Sequence, residues 1–301
     1  MFNRLVTKLE HVLRFLPISL QLKALTKIGR FREDVMGPYV EAVLTNGYNG
    51  RLLVGASDLV VGRELAFAGS YDKAQLELLL SQIVSGSEVL VVGAHVGALL
   101  IPLARKAARV VGVEANPQTY QLLSMNVTLN ALANVQLHNF AAGSVAGELD
   151  FLCNKHNTGG SKVVWHPLPP LFYYDAPTTS KVAVKRLDDE LEGRGFDLIV
   201  MDIEGSEYFA FQGMQTILSR SRVLQMEVSR FSIDQVAQVT ACELIAPLRA
   251  HFSVVAVPGV GGTARDLTFY AQEEWDALFE RLVRSGDTYN VLLMKDVPAD
   301  R

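Results

Sequence analysis

The sequence predicts an α/β fold, a mostly parallel sheet covered by helices on both faces. Three observations carry that reading. Short segments such as "EVLVV", "RVVGV" and "DLIVMDI" are apolar at nearly every position, as strands buried on both faces are. Amphipathic segments of helical period separate them, the alternation expected of parallel strands joined by crossover helices. The first apolar segment runs into a turn with glycines at 93 and 97 before a helix begins, and in such sheets ligands sit beyond the carboxyl ends of the strands.

The elements follow in order. Residues 88–92 read as a strand, 97–107 as a helix, 109–114 as a second strand and 117–130 as a helix opened by Pro117. Residues 134–140 form a third strand, with two shorter ones at 148–153 and 181–187. The strongly apolar 197–203 leads into a helix over 208–219, and a strand at 222–228 precedes a helix over 233–250. Strands at 251–257 and 289–295 flank a helix at 273–285, and this last pair has room for one antiparallel edge. Upstream, residues 1–75 are expected to form a helical and mixed cap, with strand-like pieces within 41–62, ahead of a ligand-binding domain over 76–301.

Composition narrows the function classes. The 301 residues are 49% hydrophobic, ample for a core, and no run of about 18 apolar residues suggests a membrane span. No charged start, apolar core and cleavage site announce a signal peptide. Cys153 and Cys242 stand far apart without metal-ligand spacing, which predicts reduced core residues in a cytoplasmic protein. A net charge of −4 argues against general nucleic-acid binding. The charge is uneven, however: residues 1–32 carry seven Lys/Arg against Glu10, or +6, which leaves −10 for the rest. In this arm Phe2, Leu5, Val6, Leu9, Val12, Leu13 and Leu16 fall at helical spacing until Pro17. The helix is expected to pack on its own domain or across a homodimer, and membrane contact is expected only through it.

The residues ending each strand are the site candidates. Gly93-Ala94-His95-Val96-Gly97 ends the first, where glycine permits a tight turn and close approach of a ligand to the backbone. Glu114 ends the second, placed to accept hydrogen bonds from both hydroxyls of a ribose. Asn139 and Phe140 end the third and can flank an adenine. "MDIEGSE" ends the fourth, with Asp202, Glu204 and Glu207 at the mouth. The glycine spacing is GxxxG, not the GxGxxG of dinucleotide folds, and strand–GAxxG–helix–strand–Glu is the pattern expected for S-adenosylmethionine rather than NAD.

Four segments, "VVGAHVG", "VVGVEANPQTYQLLSMNVTLNALANVQLHNFAAG", "RLDDEL" and "DLIVMDIEGSEYFAFQGMQTIL", together resemble the FkbM family of S-adenosylmethionine-dependent methyltransferases over residues 88–228. The resemblance implies a Rossmann-like class I methyltransferase fold with a mostly parallel seven-stranded sheet, and methylation of a hydroxyl on a sugar or natural product. It also implies roles. Gly93, Ala94, His95 and Gly97 would line the methionine end of the cofactor, Glu114 would hold the ribose with Asn116 close by, and Asn139 and Phe140 would lie near the adenine. Asp202 would stand beside the transferable methyl with Glu204 behind it. In two places the sequence departs from the family pattern: Val91 stands where the loop usually opens with Asp, and His95 replaces a small amide.

Methyl transfer mainly needs alignment of the acceptor oxygen and a base for its proton. Asp202 is the first candidate for that base, with Glu204, Glu227 and His95 as alternatives. Capping of the following helix is the competing role for Asp202 and Glu204, and Glu227 is expected rather to be structural or to support the residues that touch the ligand. No ligand spacing demands a metal, although Asp202 with Asp188 or Asp189 is one conceivable pair. The long segment 154–180, with Trp165, Phe172, Tyr173 and Tyr174, reads as a substrate lid or as a surface excursion packed on a neighbouring subunit. His156 and His166 are expected to be loop residues. Segment 258–266 reads as a second mouth loop, carrying Arg265. An NAD-linked oxidoreductase and a non-catalytic interaction protein on the same fold are the two alternative functions.

Overall fold

The central sheet begins where the glycine turn was expected. In the computed structural model, which describes residues 18–37, 39–259 and 266–296, strand β3 (Glu88–Val92) lies between β4 (Arg109–Val113) and β10 (Leu198–Met201), parallel to both. Strand β5 (Val135–His138) extends one side and β11 (Val223–Ser229) the other, again in parallel. The expected seven strands become eight, in the order β13-β12-β14-β11-β10-β3-β4-β5. The added strand is β13 (Leu267–Ala271), antiparallel at the outer edge of β12 (Val254–Pro258). The closing strand β14 (Thr288–Met294) is not an edge. It inserts between β11 and β12, antiparallel to both.

Five other elements come before or beside this sheet. Helix α1 (Ile18–Met36) is followed by a hairpin of β1 (Ala42–Gly47) and β2 (Gly50–Gly55), then by α2 (Val61–Ala68) and α3 (Lys73–Gln82). The expected boundary between residues 75 and 76 falls within α3. Leu52, Val54, Val61 and Leu65 join the same apolar cluster as Val89, Val91 and Val200 of the sheet. Asn126 of α5 (Pro117–Leu129) stitches the hairpin down, accepting from the Leu53 N–H at 2.6 Å and donating to the Leu53 and Val96 carbonyls. On the opposite face Leu90, Val92, Ile199 and Met201 pack with Phe211, Trp275 and Phe279. Both faces are therefore dry, which explains the continuous apolar strands.

Several helices are shorter than their sequence period suggested. The 97–107 segment is helical only over α4 (Leu100–Ala104), because Gly97 sits at φ 91° and the next residues form a turn. The expected helix over 208–219 is two, α7 (Glu207–Gln212) and α8 (Gln215–Arg220), broken at Gly213, where a Cβ would stand 2.0 Å from the Gly143 carbonyl oxygen. Residues 233–250 divide at Gln238, whose φ of 56° is left-handed, ahead of α9 (Ala241–Ile245). Helix α10 (Trp275–Ser285) leads into β14, and α6 (Leu187–Glu190) precedes β10.

A second, four-stranded sheet of β6 (Ala141–Ala142), β9 (Thr178–Lys185), β7 (Gly147–Cys153) and β8 (Lys162–Val163) roofs the carboxyl end of β3 and β4. The loop between β7 and β8, and the segment from β8 to β9, make up the long excursion expected at 154–180. Asp175, buried, closes it by accepting from the Lys155 and His156 N–H groups and the Asn154 amide. Helix α1 lies on this excursion. Gly29 leaves room for the His156 ring, Thr26 donates to the Tyr174 carbonyl, and Arg32 donates to the Asp58 carbonyl at 2.8 Å. The expected helix over residues 2–16 and the Arg265 loop lie outside the described residues.

Candidate functional site

The two glycines are required by local geometry. Gly93 has φ 84°, and a Cβ on it would stand 1.8 Å from the Asp202 carbonyl oxygen. Gly97 has φ 91°, where a Cβ would press on Leu123 and Ile101. A side chain at either position would be strained by backbone angle alone, and at 93 by direct overlap with the Asp202 carbonyl as well. The turn is held from β4, since the Gly93 and Ala94 N–H groups both donate to the Val113 carbonyl.

Glu114 locks the same turn. Its Oε2 accepts from the His95 N–H at 2.7 Å and its Oε1 from the Asn116 N–H at 2.8 Å. Burial pushes the carboxyl up to about 7, against the opposing pull of these backbone donors. The Ala115 N–H acts on the carboxyl as well, and its two oxygens still retain acceptor capacity for a ligand hydroxyl. His95 is held at φ 49° by this bond. Its Nε2 lies 2.7 Å from Thr158 Oγ1, and the Thr158 hydroxyl in turn donates to Asp58. That hydroxyl proton being committed, Nε2 is the donor to Thr158, which fixes the ring tautomer. Burial lowers the imidazole pKa, with Asp58 and Glu204 pulling the other way.

The remaining expected cofactor residues divide by what their side chains do. Ala94 is buried beneath the loop and Phe140 lines the cleft, with Lys185 Nζ 5.5 Å from its ring centre. The Asn116 side chain caps α5, accepting from the Gln118 and Thr119 N–H groups, with Pro117 at the first position. Asn139 is exposed, and its amide donates to the Glu114 and Ala115 carbonyls, bracing the end of β4. Val91 is buried between Val200 and Gly112 in the core.

A cleft opens between the first sheet and its roof. Gly93, His95, Glu114, Phe140, Asp202 and Glu204 line it from below, and Phe151, Thr158, Ser161 and Val163 from above. Asp202 follows β10, and its N–H donates to the Val92 carbonyl. Burial is the main reason its carboxyl is pushed up to about 8, with Glu204, Glu207 and Asp72 adding to the rise and Lys162 opposing it. Glu204 sits at φ 57° and pairs with Lys162 Nζ at 3.2 Å. Glu207 is buried and caps its own turn, accepting from the Ile203 N–H at 2.9 Å; burial pushes it up to about 7. Glu227, on β11, is raised to about 10, by burial first and then by Asp202, Glu204 and Glu207. Tyr71 completes the group, its hydroxyl pKa raised by burial first and then by Asp202.

Sequence reasoning placed Asp202, Glu204, Glu114 and the two glycines at one mouth; Gly93, Glu114, Asp202 and Glu204 line one cleft, whereas Gly97 lies behind it against Leu123 and Ile101. It did not find Thr158, Asp58, Lys162 or Tyr71, which come from the excursion and the N-terminal segment and have no motif around them. Asp188 is turned away to cap α8, accepting from the Thr216 and Ile217 N–H groups, and Asp189 faces Arg186. Two of the excursion's aromatic rings pack on the chain itself, while Tyr173 is exposed: Trp165 stacks on Phe209 with ring centres 4.0 Å apart and donates to Ser206, and Phe172 meets Phe231. His156 is buried and His166 lies against Phe209.

A family model described as "Methyltransferase FkbM domain" matches residues 92–279, more than half of the chain. No curated protein matches the sequence. Among solved structures, the chain is similar to a methyltransferase FkbM from Methylobacillus flagellatus KT at 17% identity and TM-score 0.41, covering 70% of this chain and 44% of that one. It is similar to Trm5b from Pyrococcus abyssi at 15% identity and TM-score 0.41, covering 85% and 56%. A TehB-like SAM-dependent methyltransferase from Corynebacterium glutamicum matches at 12% identity and TM-score 0.41, covering 78% and 94%. The chain thus spans about half the length of the first two. With the domain match running from the end of β3 into α10, the chain belongs to the FkbM methyltransferase family.

Proposed function

We propose that the protein is an S-adenosylmethionine-dependent methyltransferase that methylates a hydroxyl oxygen of a small molecule, a sugar or a related natural product. The observation that supports it most is the position of Asp202, a carboxyl at the mouth of the Gly93–Glu114 cleft with its pKa raised to about 8. The cleft fits the cofactor. Apolar Val92, Val113 and Phe140 suit an adenine, and Glu114 retains acceptor capacity for the ribose hydroxyls. Gly93 and His95 would face the methionine end, with Ala94 and Gly97 shaping the turn behind them and Asn116 and Asn139 bracing the loops around it. When bound, S-adenosylmethionine supplies a methyl group on a cationic sulfur.

The residues around that methyl then have distinct tasks. Asp202 takes the acceptor's hydroxyl proton, a role suited by a pKa near working pH. Glu204 and Glu227 accept hydrogen bonds from neighbouring hydroxyls of the acceptor, the kind of recognition a polyol invites. Tyr71 bounds the acceptor side, and the roof excludes water above the cleft. The free thiols of Cys153 and Cys242 support a cytoplasmic location.

Calorimetry with S-adenosylhomocysteine and with NAD, run side by side on the full chain, tests the reading. Heat with S-adenosylhomocysteine alone is expected. Binding of NAD in its place would make the protein an oxidoreductase, and no binding of either would leave an interaction protein on a methyltransferase fold.

A further inference from the structure

The outward face of α1 has an order that packing among the described residues does not use. At about 100° per residue, Leu20, Ala24, Ile28, Phe31 and Val35 fall in one stripe about 80° wide. Phe31 is 63% exposed and Val35 68%. Lys23, Lys27 and Arg30 form an exposed row along one side of that stripe, joined by a single acid, Asp34. Thr26, Gly29 and Arg32 point the other way, onto the excursion and the Asp58 segment. Tyr39, 95% exposed, and Val40 continue the apolar surface past the helix end. An inward-facing stripe would be ordinary core; this one faces out.

We infer that this face of α1 docks the protein on an anionic lipid surface, with Leu20, Ile28, Phe31 and Val35 entering the headgroup boundary and Lys23, Lys27 and Arg30 meeting lipid phosphates. An apolar stripe flanked by cations is what an interfacial helix requires. No helix of the described residues is long and apolar enough to cross a membrane, so the contact lies in the plane of the surface. Charge complementarity selects this occupant. Helix α1 itself carries Lys23, Lys27, Arg30 and Arg32 against Glu33 and Asp34, or +2, and residues 1–36 together carry +4 against −8 for the rest, so an anionic surface attracts this end and repels the body. A second copy of the chain would bring a like-charged row against Lys23, Lys27 and Arg30. Tyr39 stands where an amphipathic ring favours the interface.

Sedimentation of the full chain with phosphatidylcholine vesicles, with and without roughly one-third phosphatidylglycerol, tests the inference. The protein should partition onto the anionic vesicles at least about tenfold more strongly than onto neutral ones, and lose that preference as salt rises. Reversing the row (K23E, K27E and R30E together) should lower partitioning about 100-fold, near fivefold per cation. F31S with V35S should weaken it about tenfold while the thermal midpoint stays unchanged. Equal binding to both lipids, or binding indifferent to these variants, would overturn it. So would a wild-type dimer that the same variants convert to monomers without any lipid binding.

Discussion

The two halves of the cleft are built by different means. Around Gly93, His95 and Glu114 nearly every contact is backbone: amides donating to the Val113 carbonyl and to the Glu114 carboxylate. Around Asp202 the surroundings are side chains gathered from far apart in sequence: burial first, then Asp202 and Glu204, raise the proton affinity of Tyr71 and Glu227, and the Lys162 cation opposes the rise at Glu227 and at Asp202 itself. The first half is fixed by chain geometry and tolerates no added atom. The second is tuned by charge, so its properties change by degrees. A fold that must hold one fixed ligand and accept one variable ligand gains from that division.

The sharpest way to break the comparison is Gly93→Ala. A Cβ there overlaps the Asp202 carbonyl and forces a left-handed residue, so it strikes both halves at once. A loss of about 3 kcal/mol or more in stability is expected, read as the midpoint of urea unfolding. A variant of unchanged stability would mean that the turn can relax away from β10.

Asp202→Asn comes next, and separates the halves. Turnover should fall roughly 100- to 10,000-fold while S-adenosylhomocysteine affinity, measured by calorimetry, stays within a few fold. Wild-type turnover at saturating acceptor should rise with pH through about 8, because the base must lose its proton. Stability should move the opposite way. The carboxyls of Glu114 and Glu207 (about 7) and Asp202 (about 8) hold protons more tightly folded than unfolded. The fold is therefore most favoured while they stay protonated and loses stability as pH climbs from the ordinary carboxylate range through 8. The melting temperature should drop by about several degrees from pH 6 to 9, and by less in Asp202→Asn. Unaltered turnover in that variant would remove Asp202 from the chemistry.

What the sequence disclosed follows the same division. The backbone-built half was legible because its constraints are local: Gly93 and Gly97 flank one turn, Glu114 ends the adjacent strand, and Asn116-Pro117 starts the next helix. The parallel strands were legible because burial on both faces leaves continuous apolar runs. The insertion of β14 between β11 and β12 was not, since strand order is decided by pairing at long range. Strand β13 escaped notice because its residues alternate between half-buried and exposed at an edge, a weaker signal than a buried run. Lys162 escaped for a related reason. It is one lysine in a segment rich in turn residues, and only the fold of the excursion brings it over Glu204.

Glu114→Ala tests the backbone-built half without overlap. Loss of two charge-assisted acceptor bonds to the loop, and of the proposed ribose contacts, should lower S-adenosylhomocysteine affinity about 10- to 100-fold. Retained affinity would show that the loop holds its ligand through main-chain groups alone.

The smallest expected effect is also the most specific to the charge-tuned half. Lys162 is 4% exposed, 4.7 Å from the centre of the Phe172 ring and 3.2 Å from Glu204. Its charge opposes the rise in pKa of both Asp202 and Glu227. Tyr71, Asp72 and Glu207 also face this group, none of them a cation. In Lys162→Met the carboxyls lose that opposition, so the base needs a higher pH before it can accept a proton. Turnover near pH 7 should fall several-fold and recover by about pH 9, an upward shift of the acid limb by about half a unit to one unit. Lys162→Arg, which keeps the charge, should leave the limb in place. If Lys162 only fastened the roof to Glu204, the methionine variant would lower turnover equally at every pH, and the two halves of the cleft would be joined by packing alone.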